Sequence, residues 1–274
     1  MEIPKEIGII GGGQMGEALI KGFLEKDLFS PKNILVSEPV DSRREYLNKT
    51  YNVSVTTSNK EVVETRKLIL LAVKPQVMKD VLEEIKDLIK IEEHLILTIA
   101  AGLPISFYEK FLPSQTKIIR IMPNTCALVH KSMSALCKNN YATEEDLGIA
   151  ESLFSAIGKT VIVEENLMDA VTALSGSGPA YVSLFIESLI DAGVNIGLPR
   201  PLAEKLVLQT VKGSVKLITK GKKNPYELKS MVTSPGGTTI SALQVFYEKG
   251  LPGIIMSGVH KAYLKSKELS KLFG

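Results

Sequence analysis

The sequence has 274 residues, of which 45% are hydrophobic, and its net charge is only +3. A chain of this length accommodates one large domain or two ordinary ones. Because its charged residues are scattered and form no basic cluster, we expect no nucleic-acid partner. No apolar segment approaches the roughly 20 residues that a membrane span requires, and we therefore expect no membrane partner.

The cysteine content and the N-terminal segment both favour a cytoplasmic location. Cys126 and Cys137 are the two cysteines of the sequence, and their spacing does not suit a disulfide framework. The N-terminus carries Glu2 and Glu6 where a secretory signal would carry basic residues, and no long apolar stretch follows.

The first part of the chain alternates short apolar runs with amphipathic stretches, which is typical of helices covering a mostly parallel sheet. Strands are predicted over Glu6–Ile10, Asn33–Ser37, Lys67–Val73, His94–Ile99, Lys117–Ile121 and Thr160–Val163. Helices are predicted over Gly13–Leu24, Gln76–Ile89 and Glu144–Ile157. The almost continuous apolar run KLILLAV predicts that Lys67–Val73 is a central strand.

After the last strand the pattern is helical, with predicted helices over Leu167–Asn195, Pro201–Thr219, Pro225–Met231, Thr239–Glu248 and Gly253–Leu272. We therefore predict an α/β chain with two domains. Residues 1–164 form a Rossmann-type dinucleotide-binding domain, and residues 165–274 form an all-α domain. Because these helices are apolar for a free surface, we expect them to bury part of their area against a second subunit.

A glycine-rich turn follows the first strand and opens the first helix. It comprises Gly11, Gly13 and Gly16 in a GxGxxG pattern, whose position between strand and helix makes the match specific. Gly11 permits a tight turn, Gly13 lets the backbone approach a pyrophosphate, and Gly16 lets the helix pack closely. We therefore expect this turn to bind NADH or NADPH.

The residues after the second strand leave the choice between the two dinucleotides open. Glu38 lies about 20 residues after Gly16, the offset at which an acidic side chain meets the adenosine ribose, and this favours NADH. Against it, Ser37, Arg43 and Arg44 are near enough to bind a 2′-phosphate. The alternative for the two arginines is a solvated helix face.

Three further turns leave the carboxyl ends of predicted strands, at Ala72–Pro75, Ala100–Gly102 and Met122–Thr125. Ligands of open α/β sheets lie outside these ends, and we expect the turns to line the nicotinamide half of the site. Lys74 either contacts ribose or phosphate or is a solvated lysine beside a helix.

The sequence offers neither a metal site nor a recognisable nucleophile. His94, His130 and His260 lie far apart on different elements, and no GxSxG motif occurs. A hydride donor without an obvious acid partner suits an imine, which carries its own proton near neutral pH. The enzyme then mainly orients the reactants and excludes water.

The second half contains an unusual helical segment, ALSGSGPAY at Ala173–Tyr181. Pro179 cannot donate to the carbonyl of Ser175, so that carbonyl and the hydroxyls of Ser175 and Ser177 are available beside a cofactor. The alternative is a packing kink between helices.

A second unusual segment, VTSPGGTTI at Val232–Ile240, is a glycine turn that leads into a helix. The successive N–H groups of Gly236, Gly237, Thr238 and Thr239 could form a concave site for a small carboxylate. The alternative is a plain N-cap by Ser or Thr.

Together these segments resemble pyrroline-5-carboxylate reductases, which reduce a cyclic imino acid to proline. The resemblance covers nearly the whole chain, and the segments most specific to that family are DAVTALSGSGPAY from Asp169, DAGVNIGLPR from Asp191 and TSPGGTTISAL from Thr233. One departure is Cys126, which follows MPNT where a proline is usual and leaves the rigidity of that loop open.

The resemblance implies reduction of 1-pyrroline-5-carboxylate to L-proline, the final step of proline biosynthesis, by a homo-oligomer built from intertwined dimers. Thr239 would hydrogen-bond the ring nitrogen, and its turn could serve the partner subunit's cofactor. Catalytic candidates are Thr239 and Ser175. Substrate-binding candidates are Glu165, Ser177, Ser234, Gly236, Gly237, Thr238 and Thr239. Cofactor-binding candidates are Ile10, Gly11, Gly13, Gln14, Met15, Gly16, Ser37, Glu38, Asn59, Ala72, Val73, Lys74, Pro75, Ala100, Ala101, Gly102 and Asn124.

Two other functions compete with this one. A 3-hydroxy acid dehydrogenase also joins a dinucleotide domain to a helical one, but it needs a lysine or a comparable acid/base, and no convincing one occurs in the second half. A non-catalytic redox sensor would bind the dinucleotide without turnover.

Overall fold

The computed structural model describes residues 3–221 and 223–273, and every strand in these ranges belongs to one eight-stranded sheet. The strands are β1 (Ile7–Ile10), β2 (Ile34–Ser37), β3 (Ser54–Thr56), β4 (Leu68–Leu71), β5 (Leu95–Thr98), β6 (Lys117–Met122), β7 (Ser132–Lys138) and β8 (Gly158–Ile162). Their order is β3-β2-β1-β4-β5-β6-β7-β8, and β6–β7 is the antiparallel pair among otherwise parallel neighbours. The order of the first six strands is that of dinucleotide-binding Rossmann folds, so the predicted fold class is confirmed.

Helices cover both faces of the sheet. They are α1 (Gln14–Glu25), α2 (Asp41–Tyr51), α3 (Asn59–Thr65), α4 (Pro75–Ile85), α5 (Ile105–Phe111) and α6 (Glu144–Phe154). One apolar layer contains Ile9 and Phe23, and the other contains Ile10 and Tyr108. Since neighbouring residues of a strand point to opposite faces, every residue of β4 is buried, and its predicted central position is confirmed.

The predicted elements of this part are found with shifted ends. The helix predicted over Gln76–Ile89 ends at Ile85, and the one predicted over Glu144–Ile157 ends at Phe154; a short 3₁₀ helix follows each. Five strands and α-helices of this part were missed, namely β3, β7, α2, α3 and α5.

The rest of the described chain is helical. It contains α7 (Met168–Val171), a π-helical segment (Thr172–Gly176), α8 (Gly178–Asn195), α9 (Arg200–Lys220), α10 (Pro225–Met231), α11 (Thr238–Glu248) and α12 (Leu251–Phe273). The single helix predicted over Leu167–Asn195 is therefore interrupted. The structure describes no strand after Ile162 in residues 163–221 and 223–273, as the sequence pattern predicted.

The chain divides into two compact units. The first contains the residues through Ser177 together with those from Ala262 onward, and the second is Gly178–Lys261. A side chain of α7 holds the returning segment within the first unit, because Asp169 Oδ1 accepts hydrogen bonds from Ser266 (2.6 Å) and Ser270 (2.9 Å). Residues 165–177 therefore belong to the same compact unit as the sheet, although their sequence pattern is helical.

The second unit has little buried core of its own. Among its described residues, Ala203 of α9 is the one that is fully buried, and it packs opposite Gly193 of α8. Large apolar side chains are exposed on all its longer helices, including Leu184, Phe185, Leu206, Val215, Phe246 and Met256. So many large exposed apolar side chains favour a protein interface on this unit.

Within residues 3–221 and 223–273, no helix combines the length and the apolar character needed to cross a membrane.

A carboxylate on α1 fastens α2 to the sheet domain. Glu17 forms an ion pair with Arg43 and accepts hydrogen bonds from the hydroxyls of Tyr46 (2.9 Å) and Tyr51 (2.7 Å). Burial alone would raise the pKa of Glu17, but the hydrogen bonds from Arg43, Tyr51 and Tyr46 and the charge of Arg43 outweigh it and lower the pKa.

This lowered pKa predicts an acid-sensitive contribution to stability. A depressed folded-state pKa stabilises the fold above the ordinary value of 4.5, and the stabilisation is lost as the pH falls through the folded value. Glu17→Gln should therefore lower the free energy of unfolding at neutral pH by about 2 kcal/mol. In urea titrations, its difference from the wild type should shrink below pH 4.5.

Glu45→Gln on the exposed face of α2 is the matched control and should leave the stability near the wild-type value at each pH. An equal loss for Glu17→Gln at neutral and acidic pH would show that its charge is not what stabilises the fold.

Candidate active site

Between β1 and α1, two of the three glycines of the GxGxxG pattern have no room for a side chain. Gly11 has a φ of +108°, and an added Cβ would lie 2.7 Å from the carbonyl oxygen of Ala72. At Gly16 an added Cβ would lie 2.4 Å from the carbonyl oxygen of Gly11. At Gly13, by contrast, nothing lies within 4 Å of the Cβ position, and the residue is exposed. The turn is thus closed toward the protein and open outward at Gly13, the geometry that a pyrophosphate requires.

Main-chain hydrogen bonds bring the ends of three strands to this turn. Gly11 N donates to the carbonyl of Ser37 at the end of β2, over 2.8 Å. Ala72 N, directly after β4, donates to the carbonyl of Ile10, also over 2.8 Å. The predicted cofactor residues of β1, β2 and β4 therefore lie at one edge of the sheet, and Gln14 and Met15 follow in the first turn of α1.

Glu38 lies beneath the glycine turn. Its carboxylate accepts hydrogen bonds from Gly12 N (2.9 Å) and Val40 N (3.0 Å), and the residue is 8% exposed. The acidic side chain predicted to meet the ribose is therefore fixed by the backbone at the start of the cofactor site.

The interpretation of Arg43 and Arg44 as a solvated helix face is wrong. Arg43 donates to the carbonyls of Gly12 (2.6 Å) and Gly13 (3.3 Å) in addition to its ion pair with Glu17. Arg44 donates to the carbonyls of Glu38 (2.7 Å) and Pro39 (2.8 Å). Both guanidinium groups are half-buried or more because they satisfy carbonyls that the turns leave unpaired.

Ser37 and Asn59 meet, although Ser37 is the last residue of β2 and Asn59 the first residue of α3. The buried Ser37 hydroxyl donates to Asn59 Oδ1 over 2.7 Å, and Asn59 Nδ2 donates to the carboxylate of Glu84 over 2.7 Å. The two candidates assigned to the adenosine end are thus one hydrogen-bonded pair.

The turns after β4 and β5 place small or short residues at the same edge. Lys74 is exposed and directly precedes α4, which begins at Pro75, while Val73 is half-buried. Ala101 is exposed between the buried residues Ala100 and Gly102, and Gly102 adopts a φ of +76°. The specific roles of these residues toward a cofactor stay predictions.

Asn124 and Ser175 form the contact that joins the turn after β6 to the π-helical segment. Asn124 Nδ2 donates to the carbonyl (3.2 Å) and the hydroxyl oxygen (3.3 Å) of Ser175. The carbonyl that Pro179 leaves without a helical donor is thus satisfied by Asn124. Ser177 N donates to the carbonyl of Thr172 over 2.9 Å, the bond that defines the π turn. Single π turns inside helices are frequent at functional sites.

Cys126 contributes to the same arrangement through its backbone. Its N–H donates to Asn124 Oδ1 over 3.1 Å, so the side chain of Asn124 is held at both ends. A proline at this position would have no N–H to donate. This hydrogen bond therefore depends on a residue other than proline at position 126.

Glu165, a predicted substrate-binding residue, contacts the protein with one of its carboxylate oxygens. Its Oε1 accepts from Ile105 N, at the start of α5, over 2.6 Å and from Arg120 of β6 over 3.0 Å. Arg120 is buried, and sequence reasoning missed it, although a charged residue in the apolar strand KIIRIM was an available signal. The role of Glu165 toward a substrate stays a prediction.

The Ser234–Thr239 turn belongs to the second unit. Gly236 has a φ of +66°, and Gly237 caps α11 without any side-chain hydrogen bond, so the alternative of a Ser or Thr N-cap is wrong. The N–H of Gly237 donates to the carbonyl of Ser234 (3.2 Å), which removes it from the predicted set of anion donors. Thr238 and Thr239 begin the helix, where N–H groups have no carbonyl partner of their own helix.

Comparisons with known proteins agree on one family. Residues 165–269 match the family model for pyrroline-5-carboxylate reductase dimerisation, and residues 6–102 match that for NADP oxidoreductase coenzyme F420-dependent. A pyrroline-5-carboxylate reductase from Synechocystis sp. is 45% identical over 97% of this chain and 98% of its own length. The chain belongs to the pyrroline-5-carboxylate reductase family.

Solved structures of this reductase family have the same fold over the whole chain. The pyrroline carboxylate reductase of Plasmodium falciparum, solved with NADP bound, has a TM-score of 0.89 at 35% identity and covers 98% of this chain and 100% of its own. The reductase of Coxiella burnetii has a TM-score of 0.90 at 32% identity, covering 97% of this chain and 98% of its own.

Because Gly13 and Gly16 have different surroundings, replacing each with alanine should change a different property of the protein. Gly13→Ala should leave the melting temperature unchanged, since its Cβ enters open space at a φ of −67°, but should weaken dinucleotide binding about ten-fold in calorimetry. Gly16→Ala should lower the melting temperature, because its Cβ meets the carbonyl oxygen of Gly11. Unchanged dinucleotide affinity in Gly13→Ala would contradict this placement of the pyrophosphate.

Proposed function

We propose that the chain reduces 1-pyrroline-5-carboxylate to L-proline with NADH or NADPH, in the final step of proline biosynthesis. The observation that carries the proposal is the glycine turn, which is closed at Gly11 and Gly16 and open at Gly13, in a chain that matches this reductase family along its length. The proposed dinucleotide-binding residues lie in the first unit, and the proposed carboxylate-binding turn, Ser234–Thr239, lies in the second.

The residues of the first unit bind the dinucleotide and orient it. The N–H groups at the start of α1 receive the pyrophosphate charge, and the missing side chain at Gly13 lets it approach. Asn124 fixes Ser175 by donating to its hydroxyl oxygen, so the hydroxyl proton of Ser175 is free to point into the site. When bound, the reduced nicotinamide supplies the hydride that the imine carbon accepts.

The turn of the second unit holds the substrate by its carboxylate. The N–H groups of Thr238 and Thr239 lie at the positive end of α11 and suit a small anion. An added Cβ at Gly237 would push against the Ser234 hydroxyl, so glycine there leaves that hydroxyl in its place. The Thr239 hydroxyl then hydrogen-bonds the ring nitrogen and orients the C=N bond, which receives a hydride at carbon and retains a proton on nitrogen.

The family match weighs against the two other functions. A 3-hydroxy acid dehydrogenase would require a proton-transferring group for an alcohol, which the proposed imine does not need. A redox sensor would bind the dinucleotide and leave it unoxidised. Steady consumption of NADH or NADPH on addition of 1-pyrroline-5-carboxylate distinguishes the proposed reductase from the sensor.

We further propose that residues 165–274 form intertwined dimers from which a larger homo-oligomer is built. The match to the dimerisation model and the exposed apolar helices of the second unit support this arrangement. In such a dimer, the Ser234–Thr239 turn of one subunit could serve the cofactor of its partner.

We propose a cytoplasmic location for this enzyme. Its cysteines, Cys126 and Cys137, are both unpaired, which suits a reducing compartment.

Thr239→Ala tests the proposed role of the threonine hydroxyl. Turnover of 1-pyrroline-5-carboxylate should fall about a hundred-fold, because the ring is no longer oriented, while the Kd for the dinucleotide changes less than about two-fold. Thr219→Ala is the matched control, since Thr219 is an exposed residue of α9 whose hydroxyl bonds the carbonyl of Val215. Equal losses of turnover and of dinucleotide affinity would argue against the assigned role.

A charge on the exposed face of α8 tests the proposed dimer. Phe185 is 48% exposed, and Phe185→Asp should shift the light-scattering mass toward the monomer because a buried, unpaired charge is costly. Val77→Asp, at a 45% exposed position on α4 of the first unit, should keep the wild-type mass. A Phe185→Asp protein that keeps the wild-type mass would place the interface elsewhere.

A further inference from the structure

We propose that Glu38 makes NADH the preferred dinucleotide of this enzyme. Its carboxylate accepts a hydrogen bond from the adenosine 2′-hydroxyl of NADH and repels the 2′-phosphate of NADPH. The inference rests on the proposed function, which leaves the dinucleotide open. The Plasmodium relative was solved with NADP bound. The preference for NADH proposed for this chain therefore comes from its own residues and not from its family.

The position of Glu38 is that of a ribose-binding acid. It directly follows β2, at the edge where the glycine turn begins, and its carboxylate is fixed by Gly12 N (2.9 Å) and Val40 N (3.0 Å). An added Cβ on Gly12 would lie 3.3 Å from Glu38 Oε2, so the carboxylate lies against the backbone that the dinucleotide crosses. In dinucleotide-binding folds, an acidic side chain at this place bonds the ribose 2′-hydroxyl.

The hydrogen bonds of Glu38 suit a hydroxyl and not a phosphate. A carboxylate has about four acceptor sites, and the two backbone donors leave acceptor capacity for a hydroxyl group. A 2′-phosphate is itself an acceptor and is negatively charged at neutral pH, so it meets Glu38 with no proton to share and with like charge. Glu38 could turn away from a 2′-phosphate only by breaking its two backbone hydrogen bonds.

The two arginines of α2 are already engaged. Arg43 binds the carbonyls of Gly12 and Gly13 and the carboxylate of Glu17. Arg44 binds the carbonyls of Glu38 and Pro39, and Asp41 neutralises its charge at 2.5 Å. To neutralise a 2′-phosphate, either guanidinium would have to leave carbonyls that the turns depend on.

Two neutral donors at this edge are engaged as well. The Ser37 hydroxyl donates its proton to Asn59, and Asn59 donates to Glu84, which adds a second carboxylate to the surroundings. Neither Ser37 nor Asn59 can therefore donate to a 2′-phosphate without giving up a hydrogen bond, whereas a 2′-hydroxyl donates its own proton to Glu38.

The first test compares ligands on the wild-type enzyme by calorimetry, without the imine substrate. NADH should bind at least about ten-fold more tightly than NADPH, and 5′-AMP should bind more tightly than 2′,5′-ADP, which differs from it by the 2′-phosphate alone. Equal or tighter binding of NADPH would overturn the inference and leave the proposed function standing. Binding of neither dinucleotide would overturn both.

The second test removes the charge of Glu38 and keeps its shape. In Glu38→Gln, the ratio of NADPH to NADH dissociation constants should fall about ten-fold, through tighter NADPH and weaker NADH binding. Glu45→Gln removes one negative charge from an exposed position of the same βα unit and should keep the wild-type ratio. An unchanged ratio in Glu38→Gln would overturn the inference, and the wild-type comparison decides the matter if the variant fails to fold.

Discussion

The site depends on one steric constraint, the closeness of the Gly11 carbonyl to the first turn of α1. An added Cβ at Gly16 would lie 2.4 Å from that oxygen, so α1 can start where it does only with glycine there. The start of α1 in turn fixes Glu17, which holds Arg43, and Arg43 holds the carbonyls of Gly12 and Gly13. The contacts that stabilise the sheet domain therefore also fix the glycine turn.

The sequence predicted the elements whose burial leaves a strong pattern. β4 is apolar throughout because both faces are covered, and its prediction was correct. β7 was missed because Ser132–Lys138 mixes small polar and apolar residues, and its pairing with β6 depends on tertiary contacts. β3 has three half-buried residues, too few to show a period.

The candidate site was predictable where one short segment carries the chemistry, as in the glycine turn. Contacts between distant segments were not predictable. Asn124 and Ser175 were both proposed from their own motifs, but nothing local indicates that one satisfies the other's carbonyl across 51 positions. Likewise, the charge pattern of α2 is compatible with a solvated face. Only the folded turn shows that the arginines of α2 donate hydrogen bonds to backbone carbonyls that would otherwise be unpaired.

The sparse core of Gly178–Lys261 has a consequence for how this enzyme acquires its shape. In the described part of that unit, Ala203 is the one fully buried residue, so a lone chain gains little from packing its helices together. Where most apolar contact comes from another molecule, folding and association become a single equilibrium whose position depends on protein concentration. The fraction of folded chains would then rise with protein concentration and fall on dilution.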